Sequence, residues 1–112
     1  MKLSIFGYSM QGYTYILECS NGAFYTGSTT NLENRVAQHQ EGKGANFTKK
    51  HLPVKLVYFE VFGRIDEAFY REKQIQGWTR KKKLALIHGQ EEELKKLAEC
   101  INASHFSNLK TD

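Results

Sequence analysis

Two short segments rich in β-branched and aromatic residues, separated by a turn signal, most constrain the fold of this 112-residue chain. The segments are YTYILEC at 13–19 and AFYTGS at 23–28, and SNG at 20–22 lies between them. Such residues are typical of strands, and Asn-Gly between them is a strong hairpin signal. The sequence therefore predicts a β-hairpin over residues 13–28.

The length of the hairpin loop decides which side chains share a face of the sheet. A two-residue turn at Asn21 and Gly22 would place Tyr15 and Tyr25 on opposite faces. A three-residue loop that also includes Ser20, with Gly22 left-handed in a bulge, would place both tyrosines on one face. The sequence favours neither turn, so both alternatives stay open at this point.

Capping signals predict a first helix directly after the hairpin. The segment Thr30-Asn31-Leu32-Glu33 reads as a capping box, and the helix should run to about Glu41, before Gly42. The following segment, GKGANFTKKHLP at 42–53, is predicted to be a basic loop, and VKLVYFEVF at 54–62 a third and mostly buried strand.

Three more helices are predicted towards the C-terminus. Asp66 is expected to cap a helix that ends at Gln76, and Thr79 a helix that ends at Gly89. A further amphipathic helix is expected over residues 90–101, with its apolar face at positions 94, 97, 98 and 101. Residues 102–112 are expected to form a flexible tail.

Composition and length predict a single domain that folds by itself. Hydrophobic residues make up 40% of the chain, which is enough to bury a core. With no internal repeat and only one proline, the domain should cover residues 13–89, followed by the C-terminal helix. The chain is too short for a catalytic domain and a separate target-reading domain.

The basic residues are concentrated in the middle of the chain. Residues 31–89 contain twelve Lys or Arg against six Asp or Glu, whereas residues 90–112 contain three against five. A basic surface suits a polyanion, because binding to phosphates releases condensed counterions. Taken alone, the charge is equally typical of solvated lysines that keep a small protein soluble.

Several classes of protein are not indicated. Cys19 and Cys100 have no CxxC-type spacing, and the histidines have no metal-ligand spacing, so neither a disulfide framework nor a zinc site is predicted. The chain shows neither a signal-peptide pattern nor a run of eighteen apolar residues. We therefore expect a cytoplasmic protein with no membrane partner.

Polar residues occupy helix positions where apolar residues are expected. In the first helix Leu32 and Val36 define the buried face, and Arg35 and His39 border it one turn apart. In the helix that follows the third strand, a stripe predicted from Ile65, Ala68 and Phe69 leads to Glu72. Each of these residues, taken alone, is most simply explained by a structural role. However, the rule that the buried face of a helix is apolar tends to fail at functional sites.

Taken together and in order, these motifs resemble the GIY-YIG nuclease superfamily. They are Tyr-Thr-Tyr at 13–15, Tyr-Thr-Gly at 25–27, Arg35-x-x-x-His39, and Glu72 within REKQI. The resemblance covers roughly residues 13–88, and the chain is similar to small stand-alone bacterial members with YxYIL, YTG, GKGA and REKQI-x-GW segments. It implies an α+β fold in which a small three-stranded antiparallel sheet is flanked by helices.

The resemblance also implies a function and a set of site residues. The family hydrolyses DNA phosphodiester bonds, in processes such as repair, recombination or DNA processing. The matched catalytic residues are Tyr15, Tyr25, Arg35, His39 and Glu72, and Glu72 would bind Mg²⁺ or Mn²⁺. Gly27 would allow a close approach of the chain beside the site.

The chain departs from the family pattern at two places. Tyr13 and Thr14 stand where the first motif of the family has glycine and isoleucine. An asparagine that follows the glutamate in many members has no match near positions 84–88, and neither Asn102 nor Asn108 is assigned to that role.

The predicted partner is DNA, in single-stranded, branched or duplex form, and a protein partner would supply any targeting. Its phosphates would be bound by basic residues of the middle segment, namely Lys43, Lys49, Lys50, Arg71, Arg80, Lys81, Lys82 and Lys83. Two alternatives remain: a binding module without catalysis, in which Trp78 or Phe47 stacks on bases, and an adaptor that binds proteins through its acidic C-terminal helix.

Overall fold

Three antiparallel strands form the centre of the structure, which is a computed structural model describing residues 11–89 and 99–103. The strand order is β2-β1-β3. The elements along the chain are β1 (Gly12–Glu18), β2 (Phe24–Thr29), α1 (Leu32–Gln40), α2 (Asn46–Lys49), β3 (Lys55–Phe62), α3 (Ile65–Gln76) and α4 (Arg80–His88). The predicted α+β class, with a small three-stranded sheet flanked by helices, is confirmed.

The hairpin between β1 and β2 has the three-residue loop. Leu17 lies opposite Tyr25, and the backbone N–H of Cys19 donates to the carbonyl of Ala23 at 2.9 Å. Gly22 has a φ of 86°, the left-handed conformation that glycine adopts without strain. In this register Tyr15 and Tyr25 lie on the same face of the sheet.

Two separate apolar clusters cover the two faces of the sheet. On the face with Tyr15, α1 packs through Leu32 and Val36 against Leu17 and Leu56. On the opposite face, α3 and α4 pack on Ile16 and Tyr58, through Ile75 and Ile87 respectively. The predicted third strand is confirmed, although Lys55 and Val61 at its ends are exposed.

The pairing of β1 with β3 shifts by one residue beside Ile16 and Leu17. Ile16 lies opposite Tyr58, whereas Leu17 lies opposite Leu56, so Val57 is the additional residue of a bulge. Because of this bulge, Leu56 joins the cluster under α1 while Val57 and Tyr58 join the cluster under α3 and α4. Each face of the sheet thereby receives apolar residues from β3.

Two helix starts and one loop differ from the sequence prediction. Asn31, not Thr30, caps α1, because its side chain accepts from the backbone N–H of Asn34 at 3.1 Å. The helix α3 begins after Arg64, and Asp66 binds the Arg64 guanidinium instead of capping. The segment predicted as a basic loop contains the one-turn helix α2, followed by a cis peptide bond before Pro53.

The C-terminal part of the chain meets the free edge of β3. Residues 99–103 are helical, and the Asn102 side chain donates to the Leu56 carbonyl and accepts from the Leu56 N–H, both at 2.8 Å. Asn102 therefore pairs an edge-strand backbone, which is a structural role. The rest of the helix predicted over 90–101 and of the tail predicted over 102–112 lies outside the described residues.

None of the described helices is both long and apolar enough to cross a membrane.

Candidate active site

A chain of hydrogen bonds joins β1, α1 and α2 in the interior. The Tyr15 hydroxyl lies 2.9 Å from His39 Nε2, and His39 Nδ1 lies 2.8 Å from the Thr48 hydroxyl. Thr48 in turn donates to the Ala45 carbonyl at 3.0 Å. All three side chains of this Tyr15–His39–Thr48 chain are buried, and each of their polar groups is paired, as a low-dielectric interior requires.

Two glycines make room for this chain of side chains. A Cβ atom at Gly27 would overlap the Tyr15 hydroxyl, and a Cβ atom at Gly44 would overlap the His39 ring. The Tyr15 ring thus lies directly over the backbone of β2, and the segment before α2 closes over His39. The close approach expected at Gly27 is present, and Gly44 makes a second one that the sequence did not single out.

Tyr25 completes the aromatic environment of His39. Its ring centroid lies 5.3 Å from that of His39, and the corresponding distance from Tyr15 is 5.7 Å. Tyr25 is half-buried, whereas Tyr15 is 1% exposed. Of the two tyrosines, Tyr25 is therefore the one nearer to solvent.

Burial controls the protonation of the Tyr15–His39 pair. Desolvation raises the pKa of Tyr15 to about 12, and the nearby Arg35 opposes this rise through a hydrogen bond and its charge. Desolvation lowers the pKa of His39 to about 4, and the Arg35 charge acts in the same direction. At neutral pH the pair therefore consists of a neutral phenol and a neutral imidazole.

Glu72 reaches the sheet from the opposite side, at the edge strand β2. Ser28 donates to Glu72 Oε1 at 2.6 Å, and Gln76 donates to Oε2 at 2.7 Å. Lys73 lies 3.9 Å from the same carboxylate. The Gln76 side chain also donates to the carbonyl of Thr26, which fixes α3 to β2.

The stripe of α3 that carries Glu72 differs from the one predicted. Ala68 and Ile75 are buried, and Glu72 lies between them, four and three positions away. Phe69, which was expected to belong to the buried stripe, is 51% exposed and packs under the ammonium group of Lys73. The prediction for Phe69 was wrong. Gly12 of β1 lies close to Ile65 and Ala68, so α3 turns the side with these two residues to the sheet and leaves Phe69 exposed.

The five residues predicted for the site are brought together near the β2 edge. Tyr15, Tyr25 and His39 are in contact, and the charges of Arg35 and Glu72 both act on the two tyrosines. The guanidinium of Arg35 donates to Gln38 at 2.8 Å and is half-buried. The charges of Arg35 and Glu72 thus act on the same two phenols, and the His39 imidazole is in contact with both rings.

The site is separate from the main cavity found among the described residues. A cavity of about 690 Å³ lies between β3, α4 and residues 99–103, and none of the five site residues lines it. Tyr25, Arg35 and Glu72 are instead half-buried, at a site that is open at the sheet edge.

The basic residues predicted to bind nucleic acid fall into groups. Lys49 and Lys50 are exposed in and directly after α2, and Lys43 is exposed beside Glu41. The residues Arg80, Lys81, Lys82 and Lys83 form the first turn of α4. Both segments reach the hairpin loop, because Ser20 N–H donates to the His51 carbonyl and Arg80 donates to the carbonyl of Gly22.

Arg71 and Trp78 are already engaged within the protein. Arg71 forms a two-point ion pair with Glu60, at 2.8 and 3.0 Å. The Trp78 ring is half-buried and carries the Arg71 guanidinium at 5.2 Å and the Lys82 ammonium at 4.2 Å from its centroid. Of the two aromatics considered for base stacking, Phe47 is the exposed one, packed beside His51.

Sequence reasoning did not identify Thr48, Gly44, Ser28 or Gln76 as parts of the site. Thr48 and Gly44 lie in the segment that was predicted to be a loop, and Gln76 was named only as the end of its helix. One signal was available for Gln76, since it lies four positions after Glu72 on the same helix. The partners of His39 and Ser28 come from other elements, so no spacing in the sequence relates them.

Comparison with known proteins assigns the chain to a family. Residues 11–85 match the GIY-YIG catalytic domain. The chain therefore belongs to the GIY-YIG family, and the resemblance inferred from its motifs is confirmed. It is a member of a nuclease superfamily on the evidence of this match.

Three of the similar proteins carry the designation UPF0213. The chain is 48% identical over 75 residues to the UPF0213 protein of Staphylococcus haemolyticus, a stretch that covers 67% of this chain and 92% of that protein. It is 51% identical over 75 residues to the one from Clostridium perfringens, with coverages of 67% and 81%. The solution NMR structure of the UPF0213 protein from Bacillus halodurans matches with a TM-score of 0.50 and 33% identity, over 89% of this chain and 100% of that one.

The close approach at Gly27 can be tested by Gly27→Ala. The new methyl group would overlap the Tyr15 hydroxyl, so Tyr15 and the strand must separate, and we expect unfolding free energy to fall by about 1–3 kcal/mol in urea titrations. Gly63→Ala is the matched control, because a Cβ atom there meets nothing within 4 Å. It should leave stability unchanged or raise it by up to about 1 kcal/mol. Equal effects of the two changes would contradict the proposed packing of Tyr15.

The lowered pKa of His39 predicts a pH dependence of stability. Its pKa is about 4 in the folded protein and 6.5 in the unfolded chain, so the unfolded chain binds more protons between these values. The free energy of unfolding should therefore have its full value above pH 6.5 and decrease as the pH falls towards 4. His39 should account for about 3 kcal/mol of this decrease. Urea unfolding across this range measures the loss. A His39→Gln variant should lose less over the same range, and an identical profile would contradict the burial of a neutral imidazole.

Proposed function

We propose that the protein is a metal-dependent endonuclease that hydrolyses phosphodiester bonds of DNA. The observation that carries the proposal is the Tyr15–His39 hydrogen bond of 2.9 Å, at a place where the charges of both Arg35 and Glu72 act on Tyr15. The match to the GIY-YIG catalytic domain supports the same reaction class. Hydrolysis of a phosphodiester needs a base for the attacking water and a positive charge at the phosphate, and these residues offer both.

Tyr15 and His39 would act together on the attacking water. The water transfers a proton to the Tyr15 oxygen while Tyr15 transfers its own proton to His39, and the water oxygen forms its bond to phosphorus. The bond from phosphorus to the leaving oxygen breaks, that oxygen takes a proton from solvent, and His39 returns the proton it received to solvent through Tyr15. Burial raises the pKa of Tyr15 to about 12 and lowers that of His39 to about 4, so neither a phenolate nor an imidazolium persists in the interior, and the two proton transfers must occur together.

Arg35 would stabilise the negative charge that develops on the phosphate. Its planar group of donors suits phosphate oxygens, and it is half-buried, so its charge is screened less than that of a fully exposed side chain. Tyr25, the more exposed tyrosine, would line the approach of the phosphate to His39. Both roles need the substrate to enter at the open edge beside β2.

Glu72 fits the requirements of a Mg²⁺ or Mn²⁺ ligand. Each of its two oxygens accepts one hydrogen bond, from Ser28 or Gln76, and a carboxylate oxygen has a second lone pair. Among the described residues there is no group of three acidic, His or Cys side chains, and Mg²⁺ needs only one or two carboxylates with water and substrate oxygens. When bound, the ion would neutralise charge at the phosphate and the leaving oxygen.

A binding module without catalysis is the second candidate function. The exposed Phe47, with Lys49 and Lys50 beside it, is the observation that favours it, since stacking and charge together bind nucleic acid without sequence preference. Hydrolysis that requires a divalent ion separates the two candidates. In either case we expect little sequence specificity unless a protein partner supplies it.

Glu72→Gln is the decisive substitution. It keeps the shape of the side chain but removes the charge that would bind the ion, so metal-dependent cleavage should fall by at least about 10²-fold. DNA affinity without metal should hold or increase, because a repulsive carboxylate is removed. Cleavage is measured on single-stranded, branched and duplex DNA and on RNA, with Mg²⁺ or Mn²⁺ and with chelator.

Glu67→Gln provides the matched control, because Glu67 is an exposed carboxylate in the first turn of the same helix. It should cut like the wild type. A folded Glu72→Gln protein that cuts as fast as the wild type would sink the metal-binding role. If the wild type cuts no substrate and both proteins bind DNA equally, the binding module is the correct function.

The salt dependence of DNA binding tests the two basic segments separately. Replacing Lys49 and Lys50 together by Gln should lower the slope of log affinity against log salt by nearly 2, about 0.9 for each lost phosphate contact. The same experiment on Lys81 and Lys83 tests the α4 segment without disturbing Arg80, which binds the hairpin loop. A pair whose removal leaves the slope unchanged does not contact phosphate.

A further inference from the structure

The Thr48 side chain is the one member of the Tyr15–His39–Thr48 chain that the proposed reaction does not use. Thr48 is 0% exposed, lies in α2, and places its hydroxyl 2.8 Å from His39 Nδ1. The two nitrogens of a neutral imidazole differ, since one carries a proton and the other accepts one. The partner of Nδ1 therefore decides whether Nε2 donates a proton to the Tyr15 hydroxyl or accepts one from it.

The Thr48 hydroxyl has one proton, and the geometry assigns it. Its oxygen lies 3.0 Å from the Ala45 carbonyl, which can only accept. If the proton instead pointed at His39, two oxygen acceptors would face each other at 3.0 Å with no hydrogen between them. Donation to a carbonyl one turn earlier is also a common bond of threonine in helices. Thr48 therefore accepts from His39, and Nδ1 carries the ring proton.

The surroundings of Tyr15 lead independently to the same assignment. His39 Nε2 is the hydrogen-bonding partner that the described residues give the Tyr15 hydroxyl. If Nε2 carried a proton, it would donate to the phenol oxygen, and the buried proton of Tyr15 would have no acceptor. That arrangement would carry the cost of an unpaired buried donor. With Nε2 unprotonated, Tyr15 donates to His39 and every group is paired.

We propose that Thr48 is a positioning residue that holds His39 in the Nδ1-protonated tautomer, so that Nε2 is the acceptor for the Tyr15 proton. The role in proton transfer rests on the proposed nuclease function, whereas the tautomer itself does not. In the other tautomer, Nε2–H would donate to Tyr15 and could not take its proton. Thr48 would thus set the direction of proton movement without touching the substrate.

The enclosure of His39 supports this role. Gly44 lies against the ring at Nδ1, where a side chain would not fit, and Thr48 follows four residues later in the same segment. Water is therefore kept from Nδ1, and Thr48 is its partner. The segment 44–48 then determines the ring's orientation as well as its tautomer.

The test is the tautomeric state of His39, read from long-range ¹H–¹⁵N correlation spectra of the protein with ¹⁵N-labelled histidine at neutral pH. The wild type should show a protonated Nδ1 and an unprotonated Nε2. Thr48→Val keeps the shape but removes the acceptor, and it should shift His39 wholly or partly to the Nε2-protonated form. Thr48→Ser keeps the hydroxyl and should retain the wild-type tautomer.

Thr26→Val is the matched control. Thr26 is also a buried threonine, but it lies on the opposite face of the sheet and its hydroxyl has no hydrogen-bond partner. This change should leave the His39 tautomer as in the wild type. In cleavage assays Thr48→Val should lower kcat by about 10²-fold with little change in KM, and Thr48→Ser should restore most of the rate.

Two results would overturn the proposal: a wild type with a protonated Nε2, or a Thr48→Val protein that keeps the wild-type tautomer. If Thr48→Val does not fold, the wild-type and Thr48→Ser spectra still decide the assignment, because both must show the protonated Nδ1. If the wild type cuts no substrate, the proposed function fails, but the spectra still show whether Thr48 fixes the ring. The two failures are therefore distinguishable.

Discussion

The register of the β1–β2 hairpin is the constraint on which the candidate site depends. With three residues in the loop, Tyr15, Tyr25 and Gly27 lie on the face that α1 covers, and Tyr15 lies over the backbone of Gly27. A loop shorter by one residue would turn one tyrosine to the face of α3 and α4. The contact of both tyrosines with His39 would then be lost, and Gly27 would no longer lie opposite Tyr15.

A buried imidazole between two tyrosines is costly, and the surrounding structure compensates for this cost. Thr48 and Tyr15 satisfy both ring nitrogens, and Gly44 allows the chain to close over the ring. Leu32 and Val36 of the same helix anchor it in the apolar cluster, so His39 cannot withdraw from the interior without unpacking α1. Burial in turn keeps His39 neutral at neutral pH, which links folding to the proposed chemistry.

Glu72 is held by a different part of the structure, and this separation has a consequence for the proposed mechanism. The carboxylate comes from α3, on the opposite face of the sheet, and reaches the site around the edge strand β2 through Ser28 and Gln76. His39 and Glu72, the proposed proton acceptor and metal ligand, thus belong to two helices that pack in different clusters. In the proposed mechanism, the thin edge of a three-stranded sheet would allow both to reach one phosphate.

Most strands and helices could be read from the sequence, because hydrophobic periodicity and capping residues act locally. Thr79 caps α4 as predicted, and β3 and the hairpin follow their β-branched and aromatic residues. The errors also have local causes. Asn31 competes with Thr30 as a cap, and the one-turn helix at Asn46–Lys49 is too short to give a period.

What the sequence determined by itself was the family and the identity of five candidate residues, because motifs in fixed order need no coordinates. The tertiary structure decided the hairpin loop, the pairing of His39 with Thr48, the pairing of Ser28 with Glu72, and the engagement of Arg71 and Trp78 inside the protein. It also placed Asn102 on the edge of β3. These contacts join residues from different elements, and sequence spacing carries no information on which side chains meet once the helices have packed on the sheet.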